Sequence, residues 1–191
     1  MKKGLCITLA LIFTLCACSP KPPQNDNTLL AEQDEMRQIV SCAYFSYMWN
    51  QSETAPAHGT ITLQTDAEKA AYVVFYATHN TFVDGSKVFS KEESAEILKK
   101  TLGLAFSEAF AAEEEWLSPA FYARDYDAVA YLDYVETDGE WLWAQGILCG
   151  SGNLGLYSPR DFTATFRYID GTLQLHSLTV GQTADEAAEE L

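Results

Sequence analysis

Histidine is scarce in this chain. The three present in 191 residues, His58, His79 and His176, lie far apart, with no i,i+4 or clustered spacing to cysteine or carboxylate ligands. Zinc needs several converging ligands, and a Ser-His-Asp or Cys-His set needs a histidine beside its nucleophile. The pattern therefore points away from a metal, from a cofactor and from an enzyme. Positive charge is scarce too. Twelve Lys and Arg stand against 27 Asp and Glu, a formal charge of −15. Such a balance disfavours nucleic acid and anionic membrane surfaces as direct partners and favours a basic protein.

A run of apolar residues long enough to span a bilayer, roughly twenty, is also missing. The N-terminus carries something shorter: Lys2 and Lys3, then an uncharged apolar stretch of about ten residues, the layout of a secretory signal. That stretch closes on Leu15-Cys16-Ala17-Cys18. Here the chain resembles the signal peptides of bacterial lipoproteins, whose lipobox ends in the cysteine that becomes the lipidated mature N-terminus. Cys16 is a less usual residue at its lipobox position but is small enough to fit.

The resemblance implies that residues 1–17 are removed and that Cys18 carries two or three acyl chains such as palmitate. It also implies a lipid-anchored protein on the extracytoplasmic face of the cell membrane, or of an outer membrane if the source has two, since serine and not aspartate follows Cys18. Two chains suffice for stable anchoring where one does not. Losing Lys2 and Lys3 makes the mature chain more acidic still. Of the five cysteines, only Cys42 and Cys149 then keep thiols. Two buried free thiols are the plain reading, and in an oxidising compartment the pair is also a candidate disulfide.

The mature chain divides into a Pro- and Asn-rich tether over residues 18–28, one domain over 29–181, and an acidic tail over 182–191 without a packing stripe. With 48% hydrophobic residues, it has apolar surface enough for a core. Helical spacing of Met36, Ile39, Val40, Ala43, Tyr44 and Tyr47 predicts a helix over about 29–50. Strict alternation predicts a strand over 60–65, and the β-branched and aromatic run 70–77 predicts a buried strand. Ser90 and Glu93 form a capping box ahead of an apolar stripe that predicts a helix to about residue 112. Glu113, Glu114 and Glu115 follow as an acidic run, unfavourable at a helix C-terminus and a candidate binding surface.

From Ala128 onward the period changes to two. Segments 128–135 and 140–148 flank Thr137-Asp138-Gly139, and segments 162–169 and 172–180 flank Asp170-Gly171, two hairpin signals. A two-residue loop at Asp170-Gly171 sets Tyr168 opposite Leu173 and Phe166 opposite Leu175, with Phe162 and Ala164 on the same core face. Thr163, Thr165, Arg167, Gln174 and His176 fall on the other. The expected fold is α+β: two helices packed on one face of a curved antiparallel sheet that ends in a β-meander. In layout it is similar to the cystatin-like and nuclear-transport-factor-like folds.

Gly150-Ser-Gly152-Asn-Leu-Gly155 matches the dinucleotide-binding letters, but no helical stripe follows to receive a pyrophosphate, so it reads as a strand-connecting loop. Arg124-Asp125-Tyr126-Asp127 reads as a solvated turn rather than an acid–base pair. Trp141 and Trp143 share a strand face, with Tyr134 expected opposite Trp143. Exposed, the trio would be a platform for a protein or a sugar; core or partial core is the expectation.

Segments 44–49, 88–98 and 131–139 resemble the secreted inhibitors of peptidoglycan DL-endopeptidases. That resemblance implies an acidic surface blocking the basic cleft of a wall hydrolase. The sequence thus supports a monomeric, non-catalytic binding module for a basic extracytoplasmic protein such as a cell-wall hydrolase. The alternative is a small-ligand or glycan-binding domain, or a weak hydrolase, with an aromatic-lined cavity.

Overall fold

A computed structural model describes residues 26–49, 58–78, 89–111, 126–152 and 159–182. The leader, Cys18, the first part of the tether, His79, Glu113 to Glu115 and residues 183–191 lie outside them. The fold is α+β, with helices on one face of an open five-stranded antiparallel sheet.

Turn chemistry sets the sheet. Asp170 and Gly171 both take positive φ, 53° and 77°, the primed turn that matches the twist of flanking strands. They join β4 (Arg160–Ile169) to β5 (Thr172–Val180) with Tyr168 opposite Leu173 and Phe166 opposite Leu175, as the two-residue loop predicts. Phe162, Ala164, Phe166 and Leu173 are buried on one face, while Thr163, Arg167 and His176 are exposed on the other.

β2 (Tyr126–Thr137) and β3 (Trp141–Gly152) form the other hairpin. Tyr126 and Asp127 belong to this strand rather than to a preceding turn, and Gly150 and Gly152 to the end of β3, while residues 153–158 lie outside the described chain. With β1 (Gly59–Thr60) the strand order is β1-β5-β4-β3-β2. The alternation expected over 60–65 is present, with Ile61 and Leu63 buried and Thr62 and Gln64 exposed. Only its start pairs with β5, ending at the Ile61 amide, which donates to the Leu178 carbonyl at 2.9 Å.

Helix α1 (Asp26–Trp49) starts three residues earlier than the expected 29, taking the end of the tether. Its Met36, Ile39, Val40, Ala43 and Tyr44 are buried, and it lies against β2 and β5. Ser41 Oγ accepts the Ala130 amide at 2.9 Å, so the helix satisfies a polar group of the terminal strand.

The buried strand expected over 70–77 is instead a helix, α2 (Asp66–Thr78). A short apolar run buried on every side has no period to betray its type. The decisive signal lies upstream. Thr65 Oγ1 accepts the Glu68 amide at 3.2 Å, and the Glu68 carboxylate takes the Gln64 and Thr65 amides, both at 2.7 Å. Thr65 and Glu68 thus form a second Thr-x-x-Glu capping box.

The Ser90–Glu93 box caps α3 (Lys91–Leu102) as expected. That helix stops ten residues short of 112 because Gly103 turns left-handed at φ 66°, its amide donating to the Lys99 carbonyl at 3.0 Å. Glycine is the residue that takes this cap without steric cost. The apolar stripe resumes at Phe106, which stacks on Phe110 of the one-turn α4 (Glu108–Ala111) with ring centroids 5.0 Å apart.

Candidate binding face

Among the described residues, helices cover one face of the sheet and not the other. All five large apolar side chains that stand exposed among the described residues, Val129, Tyr131, Tyr134, Trp143 and Ile169, belong to strands of the sheet. In-register partners place them on its open face. Val129 faces Cys149, Tyr131 faces Ile147, Glu136 faces Trp143, and Trp141 faces Arg167, while the alternate residues Ala130, Leu142, Ala144 and Leu148 are buried under the helices.

Tyr131 and Tyr134 are three apart, and strict alternation would send them to opposite faces. Both reach the open one because β2 bulges between Leu132 and Tyr134, where the register shifts by one. A bulge of this kind re-aims side chains locally. Gly146 opposite makes it possible: a Cβ there would stand 1.9 Å from the Tyr131 carbonyl oxygen and 3.0 Å from the Leu132 Cα.

Core or partial core is the expectation for the trio Trp141, Trp143 and Tyr134, and the exposure of Trp143 and Tyr134 corrects it for those two. Tyr134 is 52% and Trp143 37% exposed. Trp141 alone is half-buried. The Arg167 guanidinium lies 5.3 Å from its ring centroid and His176 meets it edge-on at 4.9 Å. Arg167 also pairs with Glu140 at 2.8 Å.

Tyr134 is opposite Gln145, not Trp143. The hairpin turn is longer than Asp138-Gly139 alone: the Asp138 carboxylate collects the Glu140 and Trp141 amides at 2.9 and 2.8 Å, and pairing begins at Thr137 with Leu142. A shift of two residues changes the neighbour and keeps the face.

The face is acidic at its edges. Asp133, Glu136, Glu140 and Asp161 are exposed there against Arg167. Tyr134 donates its hydroxyl to Glu136 at 3.2 Å. That bond and the charge beside it raise the phenol's pKa.

A second feature lies on the helix side. A cavity of about 450 Å³ opens between α1, α2 and α3, lined by Glu35, Tyr76, Phe89, Ile97 and Thr101 with Glu93 and Glu96 at its wall. Burial, and then the neighbouring Glu32, raise the Glu35 carboxyl. Burial and Glu35 push the Tyr76 hydroxyl up to about 12. The aromatic side chains in the described lining of this cavity are Tyr76 and Phe89, whereas Trp141 and Trp143 lie on the open sheet face.

Cys42 and Cys149 are not bridged: Cys42 is buried in the core and Cys149 is half-buried on β3. Among the described residues, no three His, Cys, Asp or Glu side chains group as a metal site, and no helix is long and apolar enough to cross a membrane. Sequence reasoning reached Trp141, Trp143 and Tyr134. It missed Val129, Tyr131 and Ile169, and the Glu35–Tyr76 cavity, hidden once 70–77 is read as a strand; the bulge is the missing signal for how Tyr131 and Tyr134 come to share a face. No protein-family model, curated protein or solved structure matches the chain.

Proposed function

We propose that this chain is a membrane-anchored extracytoplasmic lipoprotein, lipidated at Cys18, that acts as a non-catalytic binding module. Its target is a basic extracytoplasmic protein, with a cell-wall hydrolase the best candidate, which the module inhibits or regulates. The observation that carries this reading is the open sheet face, where Tyr131, Tyr134 and Trp143 stand exposed beside Asp133, Glu136 and Asp161. Contiguous exposed apolar surface rimmed by polar groups marks interaction sites, and exposed Tyr and Trp are the usual anchors of an interface. The acidic rim and the net charge of −15 select a partner of opposite sign and speed the encounter.

The test has two arms. Metabolic labelling with a fatty-acid probe should mark the wild type and leave Cys18→Ala unmarked. Titration into purified basic DL-endopeptidases from the same envelope should slow cleavage of peptidoglycan fragments. The Trp143→Ala/Tyr134→Ala pair should relieve that inhibition by about tenfold or more. Wild-type and doubly substituted chains that act alike would remove the sheet face from the account.

A second reading is favoured by the same aromatics: a glycan stacking its apolar faces on Tyr131, Tyr134 and Trp143. Binding of soluble glycan-strand fragments that is insensitive to salt would select it over the protein partner.

A further inference from the structure

β2 is the last strand of the sheet, and the bulge divides its outer edge in two. In an antiparallel pair, residues whose main-chain groups turn inward alternate with residues whose groups turn outward. At the hairpin turn the Asp138 amide donates to the Trp141 carbonyl at 3.3 Å. Counting back in twos, the Glu136–Trp143 and Tyr134–Gln145 pairs also turn inward, so the amide and carbonyl of Val135 turn outward. Among the described residues no strand lies on that side of β2. Across the bulge the edge is already engaged, since the Ala130 amide donates to Ser41 Oγ of α1 at 2.9 Å. The edge left to pair is therefore the short stretch between the bulge and the turn, centred on Val135.

The charge of this edge is one-sided. No lysine or arginine occurs between Arg124 and Arg160, while Asp127, Asp133, Glu136, Asp138 and Glu140 all fall within β2 or the turn after it. Asp138 is held by the turn amides and Glu140 by Arg167, which leaves the exposed Asp133 and Glu136 beside Val135. Charge and bulges are the usual devices that keep an edge from pairing with its own kind, and like charges set opposite each other destabilise a strand pair. A second copy of β2 laid on this edge would bring Asp133 and Glu136 against the same residues. A basic strand would meet opposite charge there instead.

We propose that this edge receives an extended, basic segment of the partner protein as an added antiparallel strand, an inference that rests on the reading of the chain as a binder of a basic protein. Added strands take affinity from main-chain bonds and specificity from alternate side chains. The segment residue opposite Val135 exchanges both main-chain hydrogen bonds with it. Its side chain lies on the helix side, where Leu132 and Val135 are half-buried against the core, so an apolar residue fits. Its two neighbours point to the open face, beside the Glu136 carboxylate and the Tyr134 ring, whose hydroxyl bonds Glu136 at 3.2 Å. Lysine or arginine fits both places, because a cation is attracted by a carboxylate and by an aromatic face. The pattern recognised is basic, apolar, basic in an extended chain.

The probe is a short capped peptide of alternating lysine and valine, titrated into the isotope-labelled full-length chain and followed through its amide resonances. It should bind saturably and slow hydrogen exchange of the Val135 amide by about tenfold or more, the scale of one added main-chain bond. Methylating the main-chain nitrogens of the valines, which face β2, should weaken binding by about tenfold or more; methylating those of the lysines, which face solvent, should not. A peptide of alternating glutamate and valine should not bind. Val135→Pro, a change tolerated on an edge whose N–H faces outward, should lose the lysine-valine peptide. Absent binding, binding without protection of the Val135 amide, equal effects of the two methylations, or self-association of the chain that Val135→Pro abolishes would overturn the proposal. A basic DL-endopeptidase inhibited alike by wild type and Val135→Pro, but released by Trp143→Ala/Tyr134→Ala, would also overturn it while leaving the open face as the binding site.

Discussion

Three residues show how single side chains set this structure. Gly146 is the most constrained, since a methyl group there would overlap the Tyr131 carbonyl. Gly146→Ala should cost about 2–3 kcal/mol in urea unfolding, the range for overpacking a tight site, and should disturb Tyr131 and Tyr134 before the helices. Asp66 and Glu35 titrate in opposite senses. Burial pulls the Asp66 carboxyl up, but the hydroxyl and amide of Ser107 and the Lys69 ammonium outweigh it and hold the carboxyl below its usual range. A depressed folded-state pKa contributes stability above the unfolded value, lost as pH falls through the folded one.

Glu35, raised by burial and by Glu32, does the reverse. Its contribution is complete below the unfolded pKa and declines as pH rises through the folded one. Glu35→Gln should therefore stabilise the chain at neutral pH and leave stability at acid pH nearly unchanged, whereas Asp66→Asn should destabilise it at neutral pH and flatten the acid limb. Thermal melts between pH 3 and pH 7 separate the two, on the carboxylate range near 4. Neither shift was legible in the sequence, because each depends on a partner distant along the chain: Ser107 for Asp66, and the packing of α2 for Glu35.

At the scale of elements, short-range chemistry was the legible part. Ser90 and Glu93 announced α3, and Asp170-Gly171 fixed the turn and the register of β4 and β5 as far as Phe166 and Leu175, beyond which the pairing shifts by one. What misled was composition without period. The run Tyr72-Val73-Val74-Phe75 suits a strand, yet its burial on all sides between neighbouring elements leaves type to the cap, and Thr65 and Glu68 supply it. Glu68 is itself buried and holds two backbone amides, so Glu68→Ala should cost about 2 kcal/mol. Ser90→Ala, at an exposed cap, should cost about 1 kcal/mol. Chemical denaturation of the two variants checks that order.

The end of α3 illustrates the other limit. A helical stripe continues past Gly103, but the glycine turns left-handed and Asp66 then anchors the following segment through Ser107 and Lys69. A Cβ at position 103 would also press on the Gln174 side chain, 2.9 Å away, which donates to the Lys99 carbonyl at 2.8 Å. Gly103→Ala should destabilise by about 1–2 kcal/mol, the left-handed penalty for a residue with a Cβ.

For the whole molecule, the architecture divides labour between two sides of one sheet. The helices bury one face, and the terminal strand β2 meets α1 through Ser41 and Ala130. The other face keeps its aromatics and acidic rim in the open. Alternation alone gave the faces of β4, and of β5 near the turn; a second register shift opposite Thr165 and Phe166 then brings Leu178 and Val180 to the buried face. Alternation could not give the aromatic cluster, because a bulge is a defect in alternation and leaves no mark of its own beyond the glycine opposite. With a net charge of −15, binding to a basic partner should weaken steeply as salt rises, since the Debye length shrinks from about 10 Å at 0.1 M to about 3 Å at 1 M.

The most direct measurement is site-specific photo-crosslinking in the intact envelope, with the reactive side chain at Trp143 on the open face or at Ala95 on the exposed side of α3. Binding through the sheet predicts a discrete adduct with a basic protein from position 143, lost when the washed envelope is brought to high salt before irradiation, and none from position 95. No adduct at 143, or the same adduct from both positions, would contradict it.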